Sequence, residues 1–221
     1  ATSNAIREWR PRAVVMVGVA FGRDDKPTKQ ALGDVLVSSR VFAYEPQRVG
    51  SQTTISRGQN TEAGQALVAL ARNSTWAWTP KGPKRRARPA AHGILLSGEK
   101  LVDNIEFKRQ LLEQCPEAIG GEMEGAGVAA AAGSARIEWI VVKAICDWGD
   151  GKKSKKYQPL AAANAAEFAW VLLSDPVVSE LPRALGSSPR SSGTDEGWNT
   201  AKSLLAQSEF GGVRDRIRTA D

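Results

Sequence analysis

Residues 120–127 of the chain read Gly-Gly-Glu-Met-Glu-Gly-Ala-Gly, and residues 139–147 read Trp-Ile-Val-Val-Lys-Ala-Ile-Cys-Asp. The first stretch places two carboxylates between glycines. The second is an apolar run that delivers Asp147 into a glycine-rich loop. Runs of this kind are typical of open α/β sheets, because ligands bind outside the carboxyl ends of the strands. The sequence therefore predicts an α/β sheet with its functional site at these two junctions.

The pattern of the remaining chain alternates short apolar runs with segments of helical period. We expect strands at 13–17, 33–39, 92–96 and 139–146, and helices at 61–72, 104–114, 126–132 and 160–173. Thr61 is the expected N-cap of its helix, residues 18–22 are expected to form a tight glycine loop, and residues 73–91 a long loop. This alternation predicts a three-layer α/β/α fold with a largely parallel or mixed central sheet.

The length of 221 residues suits one domain with a tail. We predict a folded domain over residues 1–175. Residues 176–221 lose the pattern and become rich in Ser and Gly, so we expect a linker or disordered tail with at most a weak helix at 200–207.

Composition excludes several classes of function. The net charge of +6 is concentrated at residues 81–88 and 152–156, and no aromatic residues interleave with these lysines and arginines to stack bases. We therefore expect solvated loops that could attract an anionic ligand, and no nucleic-acid partner. No apolar stretch approaches the ~20 residues of a membrane helix, and no secretory signal is seen at the start. We expect a cytoplasmic protein without a membrane partner.

Cysteine and histidine contribute little to the predicted chemistry. Cys115 and Cys146 lack metal-ligand spacing, and His92 is the single histidine, so we expect neither a metal nor a cofactor. A catalytic His92 is the minor alternative to a histidine that anchors a loop or lies at the surface.

Three groups of residues could contact a ligand. The spacing Gly18-x-x-x-Gly22 is not a dinucleotide fingerprint, so it indicates either close approach of the backbone to a small ligand or an ordinary turn. Glu122 and Glu124 could share one ligand from an extended segment, or cap the following helix. Asp147 could donate a proton, or cap its own loop.

Five motifs in order carry a resemblance to a known family. They are residues 17–22 (VGVAFG), 32–38 (LGDVLVS), 97–102 (SGEKLV), 121–126 (GEMEGA) and 143–147 (KAICD). Together they resemble the nucleoside phosphorylase and nucleosidase superfamily, over about residues 11–173. The resemblance implies a phosphorylase/hydrolase-like fold. It also implies cleavage of the N-glycosidic bond of a purine nucleoside or nucleotide, and a homo-oligomer.

The resemblance also implies roles for individual residues. Asp147 would protonate or hydrogen-bond N7 of the purine, and Glu124 would hold the ribose hydroxyls above Met123. Such a pair suits ribosyl cleavage, in which the base must be neutralised while the sugar is fixed. Leu101 and Val102 would pack on the base. The remaining expected substrate contacts come from the first glutamate of the motif and from the glycine segment: Glu122, Ala20 and Gly22.

The chain departs from the family pattern at several places. Leu101 stands where an aromatic often stacks on the base, and Cys146 where the family commonly has Ser. Met16 and Val17 stand where phosphorylases often carry an arginine for phosphate, so we expect water rather than phosphate as the nucleophile. We also expect the family's first strand, with the glutamate that activates water, to be missing. The alternative function is a catalytically degenerate nucleoside-sensing module of a larger regulatory protein.

Overall fold

The computed structural model describes residues 1–25, 30–49, 54–56, 58–79, 89–152 and 155–183. The basic cluster at 81–88, the predicted helix at 200–207 and the chain beyond residue 183 lie outside these ranges. The helices are α1 (Thr2–Trp9), α2 (Gln65–Ala77), α3 (Ile105–Gln114), α4 (Gly125–Ala135) and α5 (Gln158–Leu173). The strands are β1 (Ala13–Gly22), β2 (Val35–Ala43), β3 (Gln47–Val49), β4 (Thr54–Ser56), β5 (Gln59–Glu62), β6 (Ala91–Ser97), β7 (Ala118–Glu122) and β8 (Glu138–Asp147). Among the described helices, none has the length and apolarity needed to cross a bilayer.

Six strands form a mixed sheet in the order β5-β2-β6-β7-β1-β8. β1 runs parallel to β8, and β6 runs parallel to both β2 and β7, whereas β1 with β7 and β2 with β5 are antiparallel. β2 also pairs with β8, so five of the strands close into a ring. The mixed sheet was predicted, and its closure was not.

Two hydrophobic clusters cover the sheet. The larger cluster packs side chains of α2, α4 and α5 against β1, β2 and β8. The smaller cluster packs Leu111 of α3 against side chains of β1, β2, β6 and β7, among them Phe21, Phe42 and Leu96. Helices therefore flank a central sheet, and the predicted mixed α/β fold is confirmed.

The glycine segment after the first predicted strand is not a loop, so that prediction was wrong. β1 continues to Gly22, and its last two residues, Phe21 and Gly22, pair with Gly121 and Gly120 of β7. A Cβ added at Gly22 would lie 2.6 Å from Cδ1 of Ile145. The glycine is needed because β8 approaches closely, and not because the chain turns.

Helix α2 begins later and ends later than predicted. Thr61 lies in β5, Gly64 is the N-cap, and the helix continues to Ala77. The cap comes from a distant strand: Glu138 at the start of β8 accepts a hydrogen bond from the amide of Leu67 (3.3 Å). The amide of Gly64 also donates to the carbonyl of Trp139 (2.8 Å). Tertiary contacts therefore set the start of the helix instead of a local side chain.

Ordered structure extends past the predicted domain end at residue 175. A 3₁₀ helix spans Pro176–Glu180, and Asp175 caps it by accepting from the amide of Val177 (3.0 Å). Leu181 is buried in the larger cluster, and its carbonyl accepts a hydrogen bond from Arg12. The first residues assigned to the linker therefore belong to the folded part, while the rest of that prediction lies outside the described residues.

Candidate active site

The junction between β7 and α4 separates the two glutamates of the Glu-Met-Glu segment. Glu122 ends β7, its side chain is buried, and its carboxylate accepts hydrogen bonds from the amides of Glu124 (3.0 Å) and Gly125 (2.9 Å). Amides at a helix start have no partner within the helix, so the carboxylate satisfies them and faces the positive end of the helix dipole. Of the two interpretations left open by the sequence, capping is the one that Glu122 displays.

Glu124 is the N-cap residue of α4, and its side chain is 56% exposed. One of its carboxylate oxygens accepts a hydrogen bond from Nζ of Lys143 (2.8 Å). Burial by itself would raise the pKa of Glu124, but the hydrogen bond and the charge of Lys143 outweigh it and lower the pKa. Glu124 is therefore an ionised carboxylate with part of its surface open to a ligand.

Lys143 is a charged residue in the middle of a buried strand. Its side chain is 3% exposed, and Nζ lies 3.4 Å from Oε2 of Glu122 in addition to its bond with Glu124. Gly18 on the adjacent strand leaves room for it, because a Cβ at Gly18 would lie 3.0 Å from Nζ. A buried ammonium is stable only when it is paired, and the two glutamates supply the pairing.

Asp147 ends β8, and each of its carboxylate oxygens accepts a hydrogen bond. Oδ1 accepts from the amide of Gly149 (2.9 Å), and Oδ2 accepts from Sγ of Cys146 (3.2 Å). Gly149 has φ of 62°, the left-handed region that favours glycine. Asp147 therefore makes the loop-capping contact that the sequence left open. The hydrogen bond to Oδ2 comes from a thiol, which is a weak donor.

The loop after Asp147 packs against the residues expected to contact the base. A Cβ at Gly149 would lie 3.2 Å from the carbonyl oxygen of Val102 and 3.5 Å from Cβ of Phe21. Val102 is buried, whereas Leu101 is 59% exposed. The backbone of Val102, Phe21 at the end of β1 and the Asp147 loop therefore meet at one place.

The other predicted contact residues differ in accessibility. Met123 is 38% exposed beside Glu124, so its surface is open to a ligand. Ala20 is buried and pairs with Ile145, and Gly22 is buried within β1. Ala20 and Gly22 therefore lie in a strand next to the site, not in the tight glycine loop that we expected.

Two lysines of this region were not identified from the sequence. Lys143 stood alone inside an apolar run, and a lone charge in a buried strand signals a partner elsewhere. Lys108 of α3 is also buried, and it contacts Asp24 and the loop after Asp147. Its neighbours Phe107 and Leu111 mark the inward side of the helix, and this was the signal available for Lys108.

His92 lies away from these residues, in β6 against α2. Nε2 is 2.9 Å from Oγ1 of Thr75, whose hydroxyl donates to the carbonyl of Ala71. Burial, with a smaller contribution from the charge of Arg72, lowers the pKa of His92 to about 4. The histidine anchors α2 on the sheet, so it is neither the loop anchor nor the surface residue that we expected. Within the described ranges, no cluster of three His, Cys, Asp or Glu side chains is placed to hold a metal.

Residues 1–174 match the family described as the phosphorylase superfamily. The chain belongs to this superfamily, which confirms the resemblance carried by its five motifs. Its relatives include a curated protein from Amphimedon queenslandica named Death domain-containing ATP nucleosidase, which is 35% identical over 192 residues. That match covers 79% of this chain and 36% of the relative, so the chain spans about a third of the relative's length.

Two bacterial proteins extend the comparison. A 5′-methylthioadenosine/S-adenosylhomocysteine nucleosidase from Staphylococcus epidermidis is 22% identical over 185 residues, covering 78% of this chain and 74% of the relative. The crystal structure of a nucleosidase of the same name from Neisseria meningitidis, in complex with methylthio-immucillin-A, superposes with a TM-score of 0.66. It is 20% identical, with 78% of this chain and 74% of that chain covered, and it shows that the two share a fold.

Proposed function

We propose that the protein hydrolyses the N-glycosidic bond of a purine nucleoside or nucleotide. The observation that carries this proposal is the placement of Glu124 and Asp147. Glu124 is held ionised by Lys143, and Lys143 lies on the same strand that ends in Asp147. Asp147 lies four positions after Lys143 along the strand, which is about 13 Å between Cα atoms. A ligand made of a sugar and a purine can bridge such a distance with side chains reaching in from both ends.

Asp147 is the proposed proton donor to the leaving base. Because Oδ1 already accepts the amide of Gly149, the transferable proton belongs on Oδ2. When the bond between C1′ and N9 breaks, its electron pair goes to the purine, and the proton from Oδ2 neutralises the base at N7. Oxygen from water bonds to C1′, and a proton lost by that water restores Asp147.

Glu124 is the proposed ribose clamp. Its carboxylate can accept hydrogen bonds from the two ring hydroxyls, because only one of its oxygens is bound to Lys143. Met123 beside it would form an apolar floor under the sugar. Glu122 is already engaged by the start of α4, so we do not include it among the ligand contacts.

The purine is proposed to lie against the Asp147 loop, next to Val102 and Leu101. The backbone of Val102 approaches this loop closely, and Leu101 offers an exposed apolar side chain. An aliphatic side chain packs on a base without the stacking that an aromatic ring provides. We therefore expect weaker affinity for the base than in a relative with an aromatic residue at this position.

Water is proposed as the nucleophile, because the relatives are named nucleosidases and Met16 and Val17 replace the arginine of phosphorylases. A nucleotide such as ATP is included among the candidate substrates, because the relative that is 35% identical carries that substrate in its name. Lys152, Lys155 and Lys156 are exposed after the Asp147 loop and would attract an anionic substrate. A homo-oligomer remains part of the proposal.

Chromatographic measurement of free adenine tests the function. The wild-type protein should release adenine from at least one of adenosine, methylthioadenosine, AMP and ATP, at a rate that does not depend on added phosphate. Asp147→Asn should lose about 10²–10⁴-fold in kcat, the usual contribution of a general acid, while its unfolding curve stays close to that of the wild type. Undiminished turnover in this variant would refute the role of Asp147. Binding of these ligands without release would favour the nucleoside-sensing alternative.

A further inference from the structure

We propose that Lys108 is a positioning residue for Asp147, acting through the peptide group between Trp148 and Gly149. The inference rests on the proposed function, in which Asp147 is the proton donor. Lys108 lies on α3, and its side chain is 5% exposed. A lysine is rarely buried to this degree, so its partners indicate what it stabilises.

The ammonium group of Lys108 joins two loops. Nζ donates to the carbonyl oxygen of Trp148 (2.7 Å) in the loop after β8, and to Oδ1 of Asp24 (2.8 Å) in the segment after β1. Asp24 is 49% exposed and supplies the opposite charge that a buried ammonium requires. The bond to Trp148 is the one that reaches the proposed site.

One peptide group carries the connection from Lys108 to Asp147. The carbonyl of Trp148 and the amide N–H of Gly149 belong to the same planar unit. The carbonyl accepts from Lys108, while the N–H donates to Oδ1 of Asp147 (2.9 Å). A charged donor at the carbonyl polarises the peptide group and strengthens its N–H as a donor. Lys108 thus fixes the plane that holds Oδ1 and leaves Oδ2 to carry the proton.

The loop has few other restraints on this peptide. Gly149 occupies the left-handed region, where glycine is conformationally free, and Gly151, two residues later, has φ of 81°. Val102 and Phe21 limit how far Gly149 can move toward the sheet, but they are packing contacts that do not fix the orientation of the peptide plane. A hydrogen bond from a buried ammonium supplies that orientation.

The test compares Lys108→Met with Arg109→Met on the same helix. Arg109 is exposed and makes surface ion pairs with Glu106 and Glu113, so its variant controls for removal of a cation from α3. Adenosine, methylthioadenosine and ATP are the substrates, and hydrogen exchange of residues 147–152 is measured by mass spectrometry in each protein. We expect Lys108→Met to lose about 10–100-fold in kcat, part of the contribution of a general acid. KM should change by less than about threefold, with faster exchange in the loop, and Arg109→Met should match the wild type.

Equal kcat in Lys108→Met and the wild type, or unchanged exchange in the loop, would overturn the proposal. A loss confined to KM would also overturn it, because a positioning role acts on the chemical step. If Lys108→Met does not fold, the double variant Asp24→Asn/Lys108→Met decides, since it removes both charges together. If the wild type cleaves none of these three substrates and does not cleave AMP either, the proposed function fails, and the exchange measurement alone then decides whether Lys108 holds the loop.

Discussion

The single histidine gives the protein a pH-dependent stability whose direction follows from its contacts. Because the hydroxyl of Thr75 donates to Ala71, Nε2 of His92 carries a proton and donates to Thr75. Nδ1 is then the atom that must be protonated when the ring becomes charged. It is buried and has no hydrogen-bond partner within the described structure. This arrangement agrees with the lowering of the pKa of His92 to about 4 by burial and, to a smaller extent, by Arg72.

The sign of the effect follows from the lowered pKa. Between pH 6.5 and pH 4 the unfolded chain binds a proton at His92 and the folded chain does not, so stability falls as the pH is lowered through this window. A full shift of the pKa of His92 from 6.5 to about 4 would lower the free energy of unfolding by about 2 kcal/mol between pH 7 and pH 5. The ring is partly exposed to solvent, which screens its charge. We therefore expect the free energy of unfolding to fall by about 1 kcal/mol between pH 7 and pH 5.

Urea unfolding of the wild type and of His92→Gln, at pH 7 and at pH 5, measures this contribution. Gln stays neutral over the whole range and retains a donor for Thr75. The carboxylates titrate in both proteins, so their effect cancels in the comparison. We expect the wild type to lose about 1 kcal/mol more than the variant between the two pH values. The free energy of unfolding of the wild type minus that of the variant should therefore change between pH 7 and pH 5. If this difference is the same at both pH values, the reasoning is refuted.

Two further substitutions test the contacts around the proposed site. Lys143→Met leaves the buried carboxylate of Glu122 without its cation. We expect the free energy of unfolding, measured in urea, to fall by about 3 kcal/mol. A decrease below about 1 kcal/mol would contradict a stabilising ion pair. Gly149→Ala forces a side chain into the left-handed region close to the carbonyl of Val102, and we expect a loss of about 1–2 kcal/mol. Gly127→Ala is its control, because a Cβ there meets nothing within 4 Å. If the two glycine substitutions shift the midpoint of thermal unfolding equally, the proposed backbone strain at position 149 is contradicted.

The fold was predictable where the signal was local and apolar. The run at 139–146 became β8, and the helix expected at 104–114 became α3 (Ile105–Gln114). Asn104, which we expected inside the helix, caps it by accepting from the amide of Phe107 (2.9 Å). β7 was not predicted as a strand, because Gly120 and Gly121 have a low intrinsic preference for strands. Only its pairing with β6 and the end of β1 defines it. The closure of the sheet depends on pairings between distant strands, which a local pattern cannot contain.

The candidate site was predictable at the level of residue type and less so at the level of role. The sequence placed two glutamates at one junction and left open whether they bind a ligand or cap a helix. The structure divides these tasks, because Glu122 caps α4 and Glu124 remains partly exposed. The division depends on Lys143, which reaches Glu124 across 19 residues of chain. Only the folded packing brings such a partner within hydrogen-bonding distance.

Strand β8 contributes to three different tasks along its length. Glu138 at its start caps α2, Lys143 in its middle pairs with the glutamates, and Asp147 at its end enters the loop. A slip of one residue in its pairing would send each of these side chains to the opposite face of the sheet. Misregistered chains would therefore bury unpaired charges and lose a helix cap at once. Correct strand alignment is thus selected by polar groups as well as apolar ones, so a chain that reaches its stable fold has also assembled these side chains.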